Sequence, residues 1–362
     1  MRVTFLLPYA DLSGGVRVVS IHARKLLERG HQVQVVSFFQ KAPSLKDRLK
    51  ALFTRTNLEI LEKQGPSHLD TSEVPWRILK SPAALEDCTL PEADLLVTTW
   101  WETVEWTRGL SLSRGIPVHF VQAYEVFGGP EEKIHEILSM PTFKITVSRW
   151  LKDLLEKKFG HDPDRIALVP NTVDTEFFQA PPRGKQAVPR VGVIYTTTHN
   201  KGCDLAIDAF EKARRTEPRL QLVSFGKIPK PELPRGASYF VSPPQEKIPS
   251  IYASCDAWIF SGRNEGFGLP ILEAMACRTP VAATPAGAAP EILKKGGGIL
   301  VQDFSSDSLA EAILEIVSLE DSSWRKLSEK ARESVLGYTW DDAADLFEKA
   351  LEKALRKGGG GK

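Results

Sequence analysis

Two glutamates eight positions apart, Glu265 and Glu273, bracket a glycine-bearing turn within residues 261–291, SGRNEGFGLPILEAMACRTPVAATPAGAAPE. Gly266 and Gly268 lack a Cβ, so their amides can approach a ligand closely and take backbone angles barred to other residues. Pro270 suits the first position of a helix, where its missing N–H costs nothing. Glu273 is then expected in the first helical turn, with the free amides of Gly266, Phe267, Gly268 and Leu269 turned toward an anion. One carboxylate before the helix and one just inside it would flank a phosphate-sized electropositive cup. Such a cup suits a ligand with hydroxyls at two ends and phosphate between them, a nucleotide-sugar. The plainer alternative is that Glu273 complements the helix dipole and Glu265 is a solvated loop acid.

Other candidates are weaker alone. Gly14-Gly15 sits in LSGGV, where a strand is expected to hand over to a helix, and glycines there admit phosphate or sugar to the backbone. The dinucleotide fingerprint GxGxxG is absent, which argues against a nicotinamide site. Lys201 precedes an expected helix and taken alone would be a surface lysine. The run WWE, containing Trp100, Trp101 and Glu102, offers aromatic faces for sugar rings, although paired tryptophans at strand ends are also ordinary core. The seven histidines and four scattered cysteines show no ligand spacing, so no metal and no cofactor is expected.

These residues need a scaffold, and the apolar pattern supplies one. A chain of 362 residues fits two domains of about 150 to 180 residues. The 42% hydrophobic and 26% charged fractions are those of a globular protein, and a net charge of +1 excludes a global field that draws it to nucleic acid. Short apolar runs at 3–7, 32–38, 95–98, 118–121, 145–147 and 166–169 alternate with helical stretches. In the first of these, Val16, Val19, Ala23, Leu26 and Leu27 recur before a stop at Gly30. A second series follows at 191–195, 220–225, 257–260 and 280–283, with a helix over 203–215. Strand and helix in alternation predict doubly wound parallel sheets. The expected domains are 1–178 and 191–340. Between them lies a Pro- and charge-rich linker, 179–190; a C-terminal helix over 341–357 packs back on the first domain, and 358–362 is a flexible tail.

Residues 1–56 hold ten Lys or Arg against three acids, and 41–55 combine leucines with basic residues. That segment is either a basic helix lying on an anionic membrane or an ordinary surface helix. Unpaired cysteine spacing, a strand at the very start and no apolar run of roughly 18 residues predict a cytoplasmic protein, with peripheral contact on the inner face of the membrane left open.

The string EGFGLPILEAMACRTPVAAT resembles the donor-site signature of retaining glycosyltransferases of family 4. The resemblance implies the GT-B fold, two Rossmann-like domains facing a central cleft. It implies metal-independent transfer of a sugar from a nucleoside diphosphate to a saccharide or lipid-linked acceptor, in cell-surface polysaccharide or glycolipid synthesis. On it, Glu265 binds hydroxyls of the transferred sugar, Glu273 the ribose hydroxyls, and Lys201 the leaving diphosphate. Gly14 and Gly15 would meet donor phosphates or the acceptor, and Gly287 would form a second glycine turn with Glu291 as a structural cap. Two departures stand out. The family's arginine about five residues before the lysine is Thr196 here, leaving His199 or Arg263 to supply the charge. The histidine common at the end of the fourth strand is Gln122, which cannot act as a base. Retaining transfer at the front face, with the leaving phosphate taking the acceptor's proton, has no need of one. Gln122, Tyr124, Glu125, Trp101 and Glu102 are expected on the acceptor side. The two departures also admit a regulatory protein that binds a donor without transferring it, and the fold admits a sugar-nucleotide 2-epimerase.

Overall fold

A computed structural model describes residues 1–38 and 65–358. The expected basic helix over 41–55 and most of the expected tail lie outside them. The chain divides into two compact units. Unit 1 takes Met1–Thr146, Leu154–Leu168 and Ala344–Lys362, and unit 2 takes Val147–Asp153 and Val169–Ala343.

Unit 1 opens with β1 (Arg2–Leu6), α1 (Gly14–Glu28), β2 (Gln32–Phe38), β3 (Trp76–Leu79), β4 (Leu95–Thr98) and α2 (Trp101–Trp106). It continues through β5 (Ile116–Val121), α3 (Glu131–Ser139), β6 (Phe143–Thr146), α4 (Arg149–Lys157) and β7 (Ile166–Leu168). Its seven strands run parallel in the order β3-β2-β1-β4-β5-β6-β7. Apolar runs such as Leu95, Leu96 and Val97 are buried throughout, as a parallel sheet covered on both faces requires.

Unit 2 holds β8 (Arg190–Ile194), α5 (Cys203–Thr216), β9 (Gln221–Gly226), β10 (Ser238–Val241), α6 (Ile248–Ala253), β11 (Ala257–Phe260) and α7 (Leu269–Ala276). After these come β12 (Val281–Ala283), α8 (Ala289–Leu293), β13 (Gly298–Leu300), α9 (Ser306–Ser318) and α10 (Asp321–Leu336). Its six parallel strands follow the order β10-β9-β8-β11-β12-β13. Phe210 of α5, Ile313 of α9 and Trp324 of α10 are among the side chains of its main apolar core. The last helix, α11 (Trp340–Gly358), contributes Phe347 to unit 1, where that ring stacks on His22 at 4.3 Å and meets Phe120 at 5.1 Å.

The division differs from the expected boundary at 178. Residues 169–190 belong to unit 2, and the stretch read as a linker is anchored there. The buried Asp256 carboxylate accepts from the Gln186 and Arg190 amides, both at 2.9 Å, and Lys185 Nζ donates to the carbonyls of Val317 and Leu319. Three strands had no sequence counterpart: β3, β10 and β13. All three are edge strands, and β10 is largely exposed, so none carries a long buried apolar run. Strand β6 begins earlier than its pattern predicts because Lys144 is fully buried within it; its ammonium donates to Met140 O at 3.0 Å and Thr142 Oγ1 at 2.8 Å.

Candidate functional site

In each unit the strand order reverses between two neighbours, β1 and β4 in unit 1 and β8 and β11 in unit 2. The crevice beyond the carboxyl ends of such a pair is where this architecture binds ligands.

In unit 2 the crevice is made by the loops after β8 and β11. The first ends in a short turn at His199–Lys201 and then Gly202, whose φ of 62° is left-handed and which caps α5. A Cβ at Gly202 would fall 1.8 Å from the Ser261 carbonyl oxygen, so only glycine lets the two loops meet. The loops are joined by the Arg263 amide donating to Asn200 O at 2.8 Å. Across this junction Lys201 Nζ donates to Glu265 Oε2 at 2.8 Å, with the lysine about half exposed (51%) and the glutamate largely buried (12%). Two residues widely separated in sequence thus form one ion pair.

The turn after Glu265 leaves its amides pointing into open space. None of the N–H groups of Gly266, Phe267, Gly268 or Leu269 donates to a protein acceptor among the described residues. Gly268 caps α7 with φ 104°, ψ 51°, a left-handed conformation that turns successive amides to one side. The carbonyls are held instead. Ser148 Oγ (2.7 Å) and Trp150 Nε1 (2.9 Å) both donate to Gly266 O, and the Ala288 amide donates to Phe267 O at 2.8 Å. Gly287 lies against this turn, where a Cβ would come within 2.6 Å of Phe267 O.

The helix starts at Leu269, one residue earlier than Pro270 suggests, so Glu273 falls in the second turn and not the first. It is buried, and Tyr252 Oη donates to its Oε2 at 2.8 Å. Glu291 is a cap, but of α4: its Oε1 accepts from the Arg149 amide at 2.9 Å, and burial pushes its carboxyl above the ordinary range. Arg263 is taken up by Asp204, with two hydrogen bonds of 2.7 and 2.8 Å that hold the aspartate below its usual range, and it also donates to His199 O. His199 is exposed, and Thr196 bonds within its own turn through Thr198.

In unit 1, Gly14 and Gly15 are the first two residues of α1, inside the helix and not in the loop before it. Gln122, following β5, donates through Nε2 to Gly15 O at 3.4 Å. Glu125 is buried beneath α2, accepting from the Trp101 amide at 2.8 Å, and burial raises its carboxyl well above the usual range. Burial and the nearby carboxylates of Asp11, Glu102 and Glu125 raise the half-exposed Tyr9 phenol. The structure therefore gathers Gln122 with the glycine pair, and Glu125 with Trp101 and Glu102. Tyr124 goes elsewhere: its hydroxyl pairs with His135 Nε2 and accepts from Lys158 Nζ, both at 2.6 Å.

Sequence reasoning missed Ser148, Trp150, Asp204 and Tyr252. Asp204 had a signal, an acid at a helix start within reach of an arginine-bearing loop. The others act across long separations that no local spacing reports. Among the described residues no three His, Cys, Asp or Glu side chains gather as they would around a metal ion. No helix among them is long and apolar enough to cross a membrane.

Two family models cover this arrangement almost end to end, "Glycosyltransferase Family 4" over residues 12–177 and "Glycosyl transferases group 1" over residues 175–334. The chain belongs to this glycosyltransferase family. The family's GT-B fold is also that of the Anabaena protein Alr3699/HepE in complex with UDP and glucose, with a TM-score of 0.74 at 16% identity over 97% of this chain and 99% of that one. Among curated glycosyltransferases, it is 24% identical over 223 residues to a phosphatidylinositol N-acetylglucosaminyltransferase of Arabidopsis thaliana (59% of this chain, 49% of that protein). It is 28% identical over 225 residues to an MMP alpha-(1->4)-mannosyltransferase of Mycolicibacterium hassiacum (59% and 54%). The chain spans about half the length of these two relatives.

Proposed function

We propose that the protein is a retaining, metal-independent glycosyltransferase. It would move a sugar from a nucleoside diphosphate to a saccharide or lipid-linked acceptor in polysaccharide or glycolipid synthesis, at the cytoplasmic side of a membrane or free of it. The observation that carries the reading is the run of unpartnered amides from Gly266 to Leu269, with the Lys201–Glu265 pair at one end and Glu273 at the other. Amide dipoles and one ammonium suit a diphosphate, and a carboxylate at each end suits hydroxyls. The UDP and glucose bound by the Anabaena protein support the same ligand class here.

In this reading the bond between the anomeric carbon and the diphosphate oxygen breaks. The acceptor oxygen bonds to that carbon on the same face, and its proton passes to the departing phosphate. Charge grows on the diphosphate as the bond lengthens, and Lys201 and the amides are fixed in place to receive it. Glu265 anchors the sugar while holding the lysine. Arg263 has its charge engaged by Asp204, so of the two substitutes for the arginine absent at Thr196, His199 is the better placed to reach a phosphate. On the acceptor side Gln122 would hydrogen-bond a sugar hydroxyl, with Trp101, Glu102, Tyr124 and Glu125 around it. The relative named for phosphatidylinositol supports a lipid-linked acceptor.

The test is a thermal-shift screen across sugar nucleotides, followed by acceptor-free hydrolysis of those that bind. Binding raises stability by mass action, about 2.7 kcal/mol at a hundredfold excess over Kd. Stabilisation with slow hydrolysis supports the transferase. Tight binding without turnover for any donor–acceptor pairing favours the regulatory reading that the Thr196 departure motivates, and an epimerised donor favours an epimerase. No stabilisation by any sugar nucleotide defeats all three.

A further inference from the structure

Residues 147–153 come from the chain's first half yet belong to unit 2. Two of them converge on one atom, the Gly266 carbonyl oxygen, which takes the Ser148 hydroxyl and the Trp150 indole N–H together. That uses both of the carbonyl's lone pairs. The next carbonyl, Phe267 O, is held by the Ala288 amide. In a trans peptide the carbonyl and the following N–H point in opposite directions. Fixing Gly266 O therefore aims the Phe267 N–H away from Ser148 and Trp150, and fixing Phe267 O likewise aims the Gly268 N–H. These are two of the amides without protein acceptors.

The two anchors are themselves linked. Glu291, in the helix that follows Gly287 and Ala288, accepts from the Arg149 amide between Ser148 and Trp150. Burial at Ser148 (0% exposed) keeps water from substituting for its hydroxyl. A glycine at 266 and another at 268 leave the intervening peptide planes free to rotate, and the loop alone does not choose their orientation. The choice comes from outside it.

We infer that Ser148 and Trp150 are positioning residues for the anion cup, setting the direction of the Phe267 and Gly268 amides through the Gly266 carbonyl. The inference rests on the donor-site reading above. It assigns a role in donor affinity and turnover to side chains that touch no donor.

The test uses inorganic pyrophosphate as the probe, with calorimetric titration of the full chain. Ser148→Ala and Trp150→Phe are each expected to weaken pyrophosphate binding about threefold to tenfold, the worth of one hydrogen bond. The pair should be worse than either, and Ser148→Thr, which keeps the hydroxyl, should restore binding. A merely structural role would lower the melting temperature of Ser148→Ala and leave its pyrophosphate affinity at the wild-type value, which overturns the inference. Equal affinity in wild type and the double variant overturns it as well, while leaving the donor site intact. If wild type itself binds no pyrophosphate, the donor-site reading fails first. The two failures are thereby distinguished.

Discussion

The two crevices occupy the same place in two sheets of the same winding, yet they are built from different materials. In unit 2 the walls are backbone: left-handed Gly202 and Gly268, loops in contact at Ser261, and a row of amides. In unit 1 they are side chains. Gly15 has ordinary φ and room for a Cβ, since the nearest atom is Gln122 Nε2 at 3.6 Å, and the loops are held by Glu125, Gln122 and aromatic rings. Peptide dipoles cannot be changed by substituting a side chain, so a backbone crevice suits a group that is always present, such as a diphosphate. A side-chain crevice can be rewritten residue by residue to suit a different acceptor.

The sharpest way to break this comparison is to add one methyl group to each crevice. Gly202→Ala should cost more than about 3 kcal/mol, because it combines a left-handed backbone with overlap on Ser261. Gly15→Ala, within the first turn of α1, should change stability by less than about 1 kcal/mol and in the favourable direction. Urea unfolding of both variants checks this, and equal losses would erase the distinction. Next in size, Glu265→Ala should lower turnover by about 2 to 4 kcal/mol of transition-state stabilisation. Lys201→Ala should reduce kcat more than it raises KM, whereas Glu273→Ala should chiefly raise the donor KM. Donor-hydrolysis kinetics separate these outcomes, and Gln122→Ala is expected to act mainly on the acceptor KM.

The smallest effect concerns pH. Burial lowers Lys144 from 10.5 to about 7, and it faces His119, its neighbour across β5 and β6, and His161, both also lowered by burial. Between about pH 7 and 10.5 the unfolded chain holds a proton on Lys144 that the folded chain has released. Stability therefore rises with pH across that window, by about 1 kcal/mol between pH 7 and 8. Melting curves should show the rise, and Lys144→Met should flatten it. A wild-type curve that falls over this interval would show that the lysine stays charged.

Much of the scaffold was legible because buried parallel strands advertise themselves as apolar runs. Strands β2, β4 and β11 begin and end where their runs do. Edge strands β3, β10 and β13 escaped because half-exposed positions carry no such run, and β6 was obscured by a lysine whose charge is buried. In the candidate site, glutamates and glycines could be read because their spacing is local. Their supports could not. Tyr252 reaches Glu273 from another helix, and Ser148 and Trp150 reach Gly266 across more than a hundred residues. The Asp204–Arg263 pair also altered the reading, since an arginine that looked available is already engaged.

The path of the chain through unit 2 limits how that unit can be exchanged. Its residues are not contiguous: 147–153 precede β7, and the rest begins at Val169. A chimera spliced where the two family models meet, at 175–177, would bring in a foreign tryptophan and serine, or none, to hold Gly266. Shuffling donor specificity between relatives therefore calls for two grafts, the large segment and this seven-residue insert.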